Sequence, residues 1–267
     1  MCVPMRPLLS IQARNFRSLR RVNVTLGSLN VLVGPNEAGK SNFLDLIEFL
    51  GDSARYDLAD ALERRGGYDR VRFRGVDSTG AVSISVRAAV TTHSSENAPD
   101  EYDLTFWSQR LRNRTDRVLF RNEDFTFKRT RGRGRRISVH GNKAEFLETE
   151  ADSQKSRRRP VARPLRSDSL ALSTLRRLPA KEGGEEIERF AELFTTFRVF
   201  NVDVARAKRP ARLWHGPLRP DASNLANAIV VLSEDADRYE DYIADARAMI
   251  PGFRTPDAMK GRGLRSS

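Results

Sequence analysis

Hydrophobic positions along this chain change their period twice. From Leu8 to Leu26, "LLSIQARNFRSLRRVNVTL" carries two β-like runs on either side of the turn-prone "ARNFRSL". "LNVLVG" at 29–34 is a short apolar run closed by Gly, the pattern of a buried strand. Over 39–50 the spacing lengthens: Phe43, Leu46, Ile47 and Leu50 recur as on one face of a helix. The local order is therefore strand, loop, helix. Further on, "DRVRFRGVDSTGAVSISVRAAV" alternates on both sides of "DSTG" and predicts a β-hairpin. "YDLTFW", "RVLF", "FTFKR" and "RISVHG" extend a β-rich meander to about residue 141.

Helical patterning returns after "DSQKSRRRPVARPLRS" (152–167), which has the composition of an exposed loop. "SLALSTLRRL" is one candidate helix. "EEIERFAELFTTF" is a clearer one, with Ile187, Phe190, Ala191 and Phe194 on one face. "RVFNVDV" predicts a strand, and "SNLANAIVVL" and "DRYEDYIADARAMI" predict two helices, the second stopped by Pro251 and Gly252. The end, "DAMKGRGLRSS", is polar and unpatterned, and no internal repeat occurs.

Composition narrows the class. A chain of 267 residues with 39% hydrophobic and 31% charged residues can bury a full core and reads as soluble and globular. Its one cysteine, Cys2, excludes a disulfide framework or a thiolate metal site within one chain. The N-terminus lacks the apolar core of a signal peptide and no run of about 18 apolar residues exists, so the expectation is a cytoplasmic protein with no membrane span or lipid anchor.

The net charge is +12, and it is concentrated. Residues 110–136 carry eleven Arg or Lys against three acids, and 155–177 carry eight against one. Such clustering suits a polyanionic partner, and the tracts "RTRGRGRR" and "KSRRRPVARPLR" are candidate contacts to a nucleic-acid backbone. No aromatic residue is interleaved within them, so they offer nothing for base stacking.

The most specific chemistry sits between the predicted strand at 29–34 and its following helix. Gly34, Gly39, Lys40 and Ser41 fit G-x-x-x-x-G-K-[ST] in the required strand–loop–helix context. The glycines let the backbone curl so that successive N–H groups converge on phosphate oxygens, and the helix adds its positive end. The binding set is Gly34, Pro35, Asn36, Glu37, Ala38, Gly39, Lys40, Ser41 and Asn42. Lys40 would reach the β- and γ-phosphates and the Ser41 hydroxyl would ligate Mg²⁺, so ATP and Mg²⁺ are the expected ligands.

"GPNEAGKS", with "NFRSL" some 20 residues earlier, resembles the N-terminal lobe of ABC-class ATPases related to RecF, the structural-maintenance-of-chromosomes heads and the overcoming-lysogenization-defect nucleases. It is closest to the predicted AAA-type ATPases of the RecF-like group. "ALERRGGYDRVRFRG", "FRVFNVD" and "DASNLANAIVVL" extend the likeness to about residue 253. The resemblance implies an α/β P-loop fold of ABC/RecF type, with a β-rich N-terminal lobe and a helical part. It further implies that Asn15 or Arg17 lies near the nucleotide, with DNA repair or phage defence as settings. The expected organisation is an ATPase portion over 1–253, followed by an unstructured tail over 254–267. That portion divides into a P-loop lobe (1–79), a β meander (80–150), a basic loop (151–167) and a helical part (168–253).

In such families a second lobe adds a signature loop headed by Ser, an apolar strand ending in Asp-Glu, and a γ-phosphate-sensing His. "KEGGEEIERF" imitates the first but places Glu182 at the Ser position, and a carboxylate there would repel phosphate. "VFNVDV" ends at Asp203 with no Glu after it, and "AIVVLSED" has Ser233 where the Asp belongs, followed by Glu234. Asp203 and Glu234 remain the candidate catalytic carboxylates; His93, His140 and His215 read as surface residues. The second lobe is expected from a homodimeric or complementing chain, or to have been lost by truncation. Two other readings stay open. One is a nucleic-acid-binding module that uses nucleotide as a switch. The other is a GTPase, for which Asp77–Gly80 fits D-x-x-G and Asn142–Glu145 approaches N-K-x-D.

Overall fold

A computed structural model describes residues 8–75, 80–112, 117–128, 134–149, 161–209, 216–250 and 252–254. Asp77, His215, most of both arginine tracts and the tail from 255 lie outside the described residues. The chain divides into two compact units, 1–197 and 198–267.

The first unit is built on one antiparallel sheet. Its strands are β1 (Leu8–Phe16), β2 (Leu19–Thr25), β3 (Val82–Ala88), β4 (Asp100–Arg110), β5 (Arg117–Phe127), β6 (Gly134–His140), β7 (Lys143–Thr149) and β8 (Val161–Pro164). The order across the sheet is β2-β1-β3-β4-β5-β6-β7-β8, so every strand lies beside its predecessor except β3, which pairs with β1. β8 is a difference from the sequence reading, which assigned 161–164 to a loop. It pairs with β7, Phe146 opposite Val161, and so uses backbone groups that composition alone left exposed.

Alternation along the strands buries one face. Ile11, Ala13, Ile84, Val86, Leu104, Phe106, Phe125 and Val139 are at most 1% exposed. Onto this face pack α1 (Lys40–Tyr56) and α5 (Gly184–Thr195), joined by the short helices α2 (Leu58–Glu63), α3 (Tyr68–Val71) and α4 (Ala171–Thr174). α1 buries Phe43, Leu46, Ile47, Phe49 and Leu50; α5 buries Ile187, Phe190, Ala191 and Phe194. Phe49 reaches Phe16 and Phe106 with ring centroids at 5.5 Å, and Tyr102 meets Phe125 at 4.6 Å. Gly51 lets α1 and α5 approach closely: a Cβ there would lie 2.8 Å from the Phe194 carbonyl oxygen.

A polar knot is buried in the same layer. Arg121, fully buried, donates to the carbonyls of Ser169 (2.7 Å), Gly141 (2.8 Å) and Arg166 (3.0 Å), and pairs with Glu123 at 3.2 Å. Glu123 accepts from the amides of Ala171 and Leu172 and from the Tyr102 hydroxyl. Asp57, between α1 and α2, adopts φ 88° and ψ 170°, a conformation that favours glycine and costs about 1–3 kcal/mol. Its carboxylate offsets that strain by accepting from the Leu58 and Leu170 amides and the Ser169 and Ser173 hydroxyls. Segment 166–173 is thereby tied to the sheet and to the α1–α2 corner.

In the second unit lie α6 (Val204–Ala207), α7 (Leu225–Leu232) and α8 (Ala236–Met249). The strand expected over "RVFNVDV" does not form. Among the described residues its backbone makes two ladder-like bonds, Asn201 N–H to Pro220 O and Asp203 N–H to Asp221 O. Among the described residues no helix is long and apolar enough to cross a membrane.

Two expectations follow. Gly51→Ala should lower stability by about 1–3 kcal/mol in urea denaturation, because the helices must part to admit a methyl group. Burial pushes the Glu123 carboxyl from its usual 4.5 up to about 7, against the opposing pull of Arg121 and the Ala171 and Leu172 amides. A folded-state pKa raised above the unfolded value stabilises fully below pH 4.5, and that contribution is lost as pH rises through about 7. Melting temperature should therefore decline across this window more steeply in the wild type than in Glu123→Gln.

Candidate nucleotide site

The site is a product of where α1 begins. β2 closes with the Leu26 amide on the Leu9 carbonyl, and Gly27 and Asn30 then form a reciprocal turn at 2.9 and 3.0 Å. From Asn30 to Pro35 the chain is irregular and belongs to no strand. The sequence reading placed a buried strand here; instead Leu29 is 83% exposed, Val31 75% and Val33 89%. A strand needs a neighbour for its backbone, and none of the described strands pairs with this segment.

The loop then curls. The Ala38 amide bonds back to the Pro35 carbonyl at 3.3 Å, and Glu37 (φ 68°) and Gly39 (φ 91°) are both left-handed. Gly39 is the residue before α1, and its side-chain-free position also clears Leu19, whose Cδ2 lies 3.0 Å from where a Cβ would stand. The helix ladder starts with the Phe43 amide on the Gly39 carbonyl. The amides of Lys40, Ser41 and Asn42 stand ahead of it at the positive end of α1. Lys40 folds over the loop, its Nζ donating to the carbonyls of Gly34 (2.7 Å) and Pro35 (2.6 Å). A left-handed turn, three leading amides, an ammonium at the rim and the exposed Ser41 form a set of donors suited to an anionic chain of oxygens.

Neighbouring groups hold this cup in place. Asn42 donates to the Ser18 hydroxyl at 2.5 Å, tying α1 to the β1–β2 turn. Arg17 (φ 48°) sends its amide to the Val71 carbonyl and its guanidinium to Asp45 at 2.8 Å. Asp45 also takes Arg65, which reaches Asp52 as well. Asn15 (φ 60°) donates its side-chain amide to the Ala81 carbonyl at 2.9 Å. Both residues therefore brace the β1–β2 turn against α1 and the segment after α3. For a divalent cation, Ser41 is the ligand the loop offers; among the described residues no group of three or more His, Cys, Asp or Glu side chains converges.

The other candidates have local roles. Asp203 caps α6, accepting from the amides of Ala205 and Arg206, and Glu234 is exposed after α7. Glu182 pairs with Arg163 at 2.6 Å. The two glycines beside it are packing glycines: a Cβ on Gly184 would lie 1.9 Å from the Leu178 carbonyl oxygen, and one on Gly183 2.9 Å from Ile137. Asn142 lies in the β6–β7 turn and its carbonyl accepts from Leu165. His140 is exposed at the end of β6.

Several arginines counted into the basic clusters are also committed to the fold. Arg121 sits in the buried knot, Arg135 donates to the Ala180 carbonyl and Glu186, and Arg136 and Arg166 pair with Asp124 and Asp168. Composition could not separate these from solvated charges, because the separation depends on strand parity and on which carbonyls the fold brings near.

A family model, the AAA ATPase domain, matches residues 8–115, from β1 through the phosphate loop and α1 to the end of β4. The stretch is well under half of the chain, and what it supports is an AAA-type P-loop ATPase that binds nucleotide. A comparison with curated proteins returns no match.

Gly184→Ala is expected to cost about 3 kcal/mol or more, read as a lower urea midpoint, since its methyl group would collide with backbone. A glycine that served a nucleotide on a partner chain would instead leave stability unchanged.

Proposed function

We propose that this chain binds ATP with Mg²⁺ through residues 34–42, as the N-terminal part of a RecF-like ATPase whose turnover depends on a completing lobe. The observation that carries the binding half is Lys40 drawn across the Gly34 and Pro35 carbonyls at the mouth of a left-handed loop, directly ahead of α1. Those carbonyls hold the ammonium at the rim with partners it can exchange for β- and γ-phosphate oxygens. The Lys40, Ser41 and Asn42 amides add donors at the helix end, and Ser41 presents its hydroxyl to the cation. When bound, Mg²⁺ neutralises phosphate charge and leaves the protein to orient the chain of oxygens.

The dependence on a completing lobe rests on the segment before the loop. "LNVLV" is apolar without alternation, as in a strand covered on both faces, yet it belongs to no strand and its side chains are largely exposed. Flanking strands and helices from a further lobe would cover it, and they would bring the acid that orients water. Asp203, spent as a helix cap, is poorly placed in its own surroundings to act as that acid.

Lys40→Ala should weaken binding of a fluorescent ATP analogue at least about a hundredfold, consistent with losing a charge-assisted contact of roughly 3 kcal/mol. ATP should displace the analogue better than GTP. Binding that is unchanged in the variant, or a preference for GTP, would overturn the assignment. Turnover by the isolated chain should stay near background in a phosphate-release assay.

A further inference from the structure

The face of the sheet turned away from α1 and α5 carries an arrangement that a merely solvated face does not need. On it, Trp107 of β4 sits directly opposite Phe120 of β5, and the rings stack at 5.8 Å with an interplanar angle of 17°. Both are only half-buried, and among the described residues neither belongs to the hydrophobic core under α1 and α5. Large aromatic side chains on an open polar face are unusual, because their burial contributes most when they join the core.

One register step away along the strands, the same face runs from Arg21 and Arg14 across β3 to Thr105 and Asn122. Arg14 and Arg21 are cross-strand partners, both exposed, and neither forms an ion pair among the described residues. Like charges placed directly opposite destabilise a sheet, so this pair invites an external anion. The nearest acids on the face lie one row further and are engaged: Asp103 with the Ser85 hydroxyl, Asp124 with Ser138 and Arg136. With strands about 4.8 Å apart and about 3.3 Å per residue, Arg14 lies roughly 12 Å from Trp107, and the arginine and aromatic pairs are centred roughly 16 Å apart. That is a span of a few nucleotides.

We propose that this open face binds single-stranded nucleic acid, with bases stacking on Trp107 and Phe120, the backbone held by Arg14 and Arg21, and Thr105 and Asn122 offering hydrogen bonds between them. Unpaired bases can stack on an aromatic platform, whereas bases already stacked inside a duplex cannot reach it. The guanidinium pair supplies the matching charge. This surface is distinct from the phosphate loop, and it holds the aromatic groups that the arginine tracts lack.

The test uses the full chain with Trp214→Phe, which leaves Trp107 as the sole tryptophan. Oligo(dT), oligo(U) and a duplex of equal length are titrated at low and moderate salt. Single strands should quench Trp107 and bind better than the duplex. Arg14→Gln with Arg21→Gln should weaken binding about tenfold and flatten the salt dependence by about two counterions. Trp107→Leu, followed by oligonucleotide anisotropy, should weaken it by a similar factor. Binding of the ATP analogue should not change in either variant, which separates this proposal from the nucleotide site. Oligonucleotide binding without quenching, equal affinity for the duplex, or unchanged affinity in the arginine variant would overturn it. So would no binding at low salt. The oligo(dT) and oligo(U) arms decide between DNA and RNA.

Discussion

The whole arrangement depends on α1 serving two masters. Its stripe of Phe43, Leu46, Ile47, Phe49 and Leu50 is buried on the inner face of the sheet, and that burial fixes the helix axis. Its first residues, Lys40 to Asn42, are the end of the same rigid element. The hydrophobic effect thus aims the positive helix end, and the loop before it has to curl to meet that end. Gly51 sharpens the constraint by letting α5 lie close enough to hold α1 from the other side.

Around that axis, short polar ties act as braces. Arg65 gathers Asp45 and Asp52 along α1, Arg17 reaches Asp45 from the β1–β2 turn, and Asn42 reaches Ser18. Deeper in, Arg121 and Glu123 grip segment 166–173 from the sheet, and Asp57 grips it from the end of α1. Buried ionic groups of this kind contribute little net stability but penalise any arrangement that leaves one of them unpaired. The strained backbone at Asp57 fits that role, since four hydrogen bonds to its carboxylate offset the cost of its conformation.

The two surfaces of the first unit are unequal in a way that bears on function. The proposed phosphate loop is preceded by Leu29, Val31, Leu32 and Val33, whose apolar side chains are exposed. The face of the sheet turned away from α1 and α5 carries an aromatic stack and two cross-strand guanidinium groups that form no ion pair among the described residues. The first feature underlies the proposal of a completing lobe, the second the proposal of a single-stranded nucleic-acid ligand.

Much of this was written in local pattern. The periods of the apolar residues predicted the β1–β2 pair, α1, the meander and α5, because each depends on side chains a few residues apart. The G-x-x-x-x-G-K-[ST] pattern was readable for the same reason: Gly34, Gly39, Lys40 and Ser41 lie within one short loop and helix start, so the phosphate-binding role proposed for them needs no distant partner. Tertiary structure decided the rest. It showed that "LNVLV" finds no strand partner among the described residues, that 161–164 finds one in β7, and that Gly183 and Gly184 serve close packing. It also decided that Arg121 is a buried structural cation, while Trp107 and Phe120, unremarked in the sequence, share an open face. Pairing, exposure and charge partnership are relations between residues far apart in the chain, so only the assembled sheet could assign them.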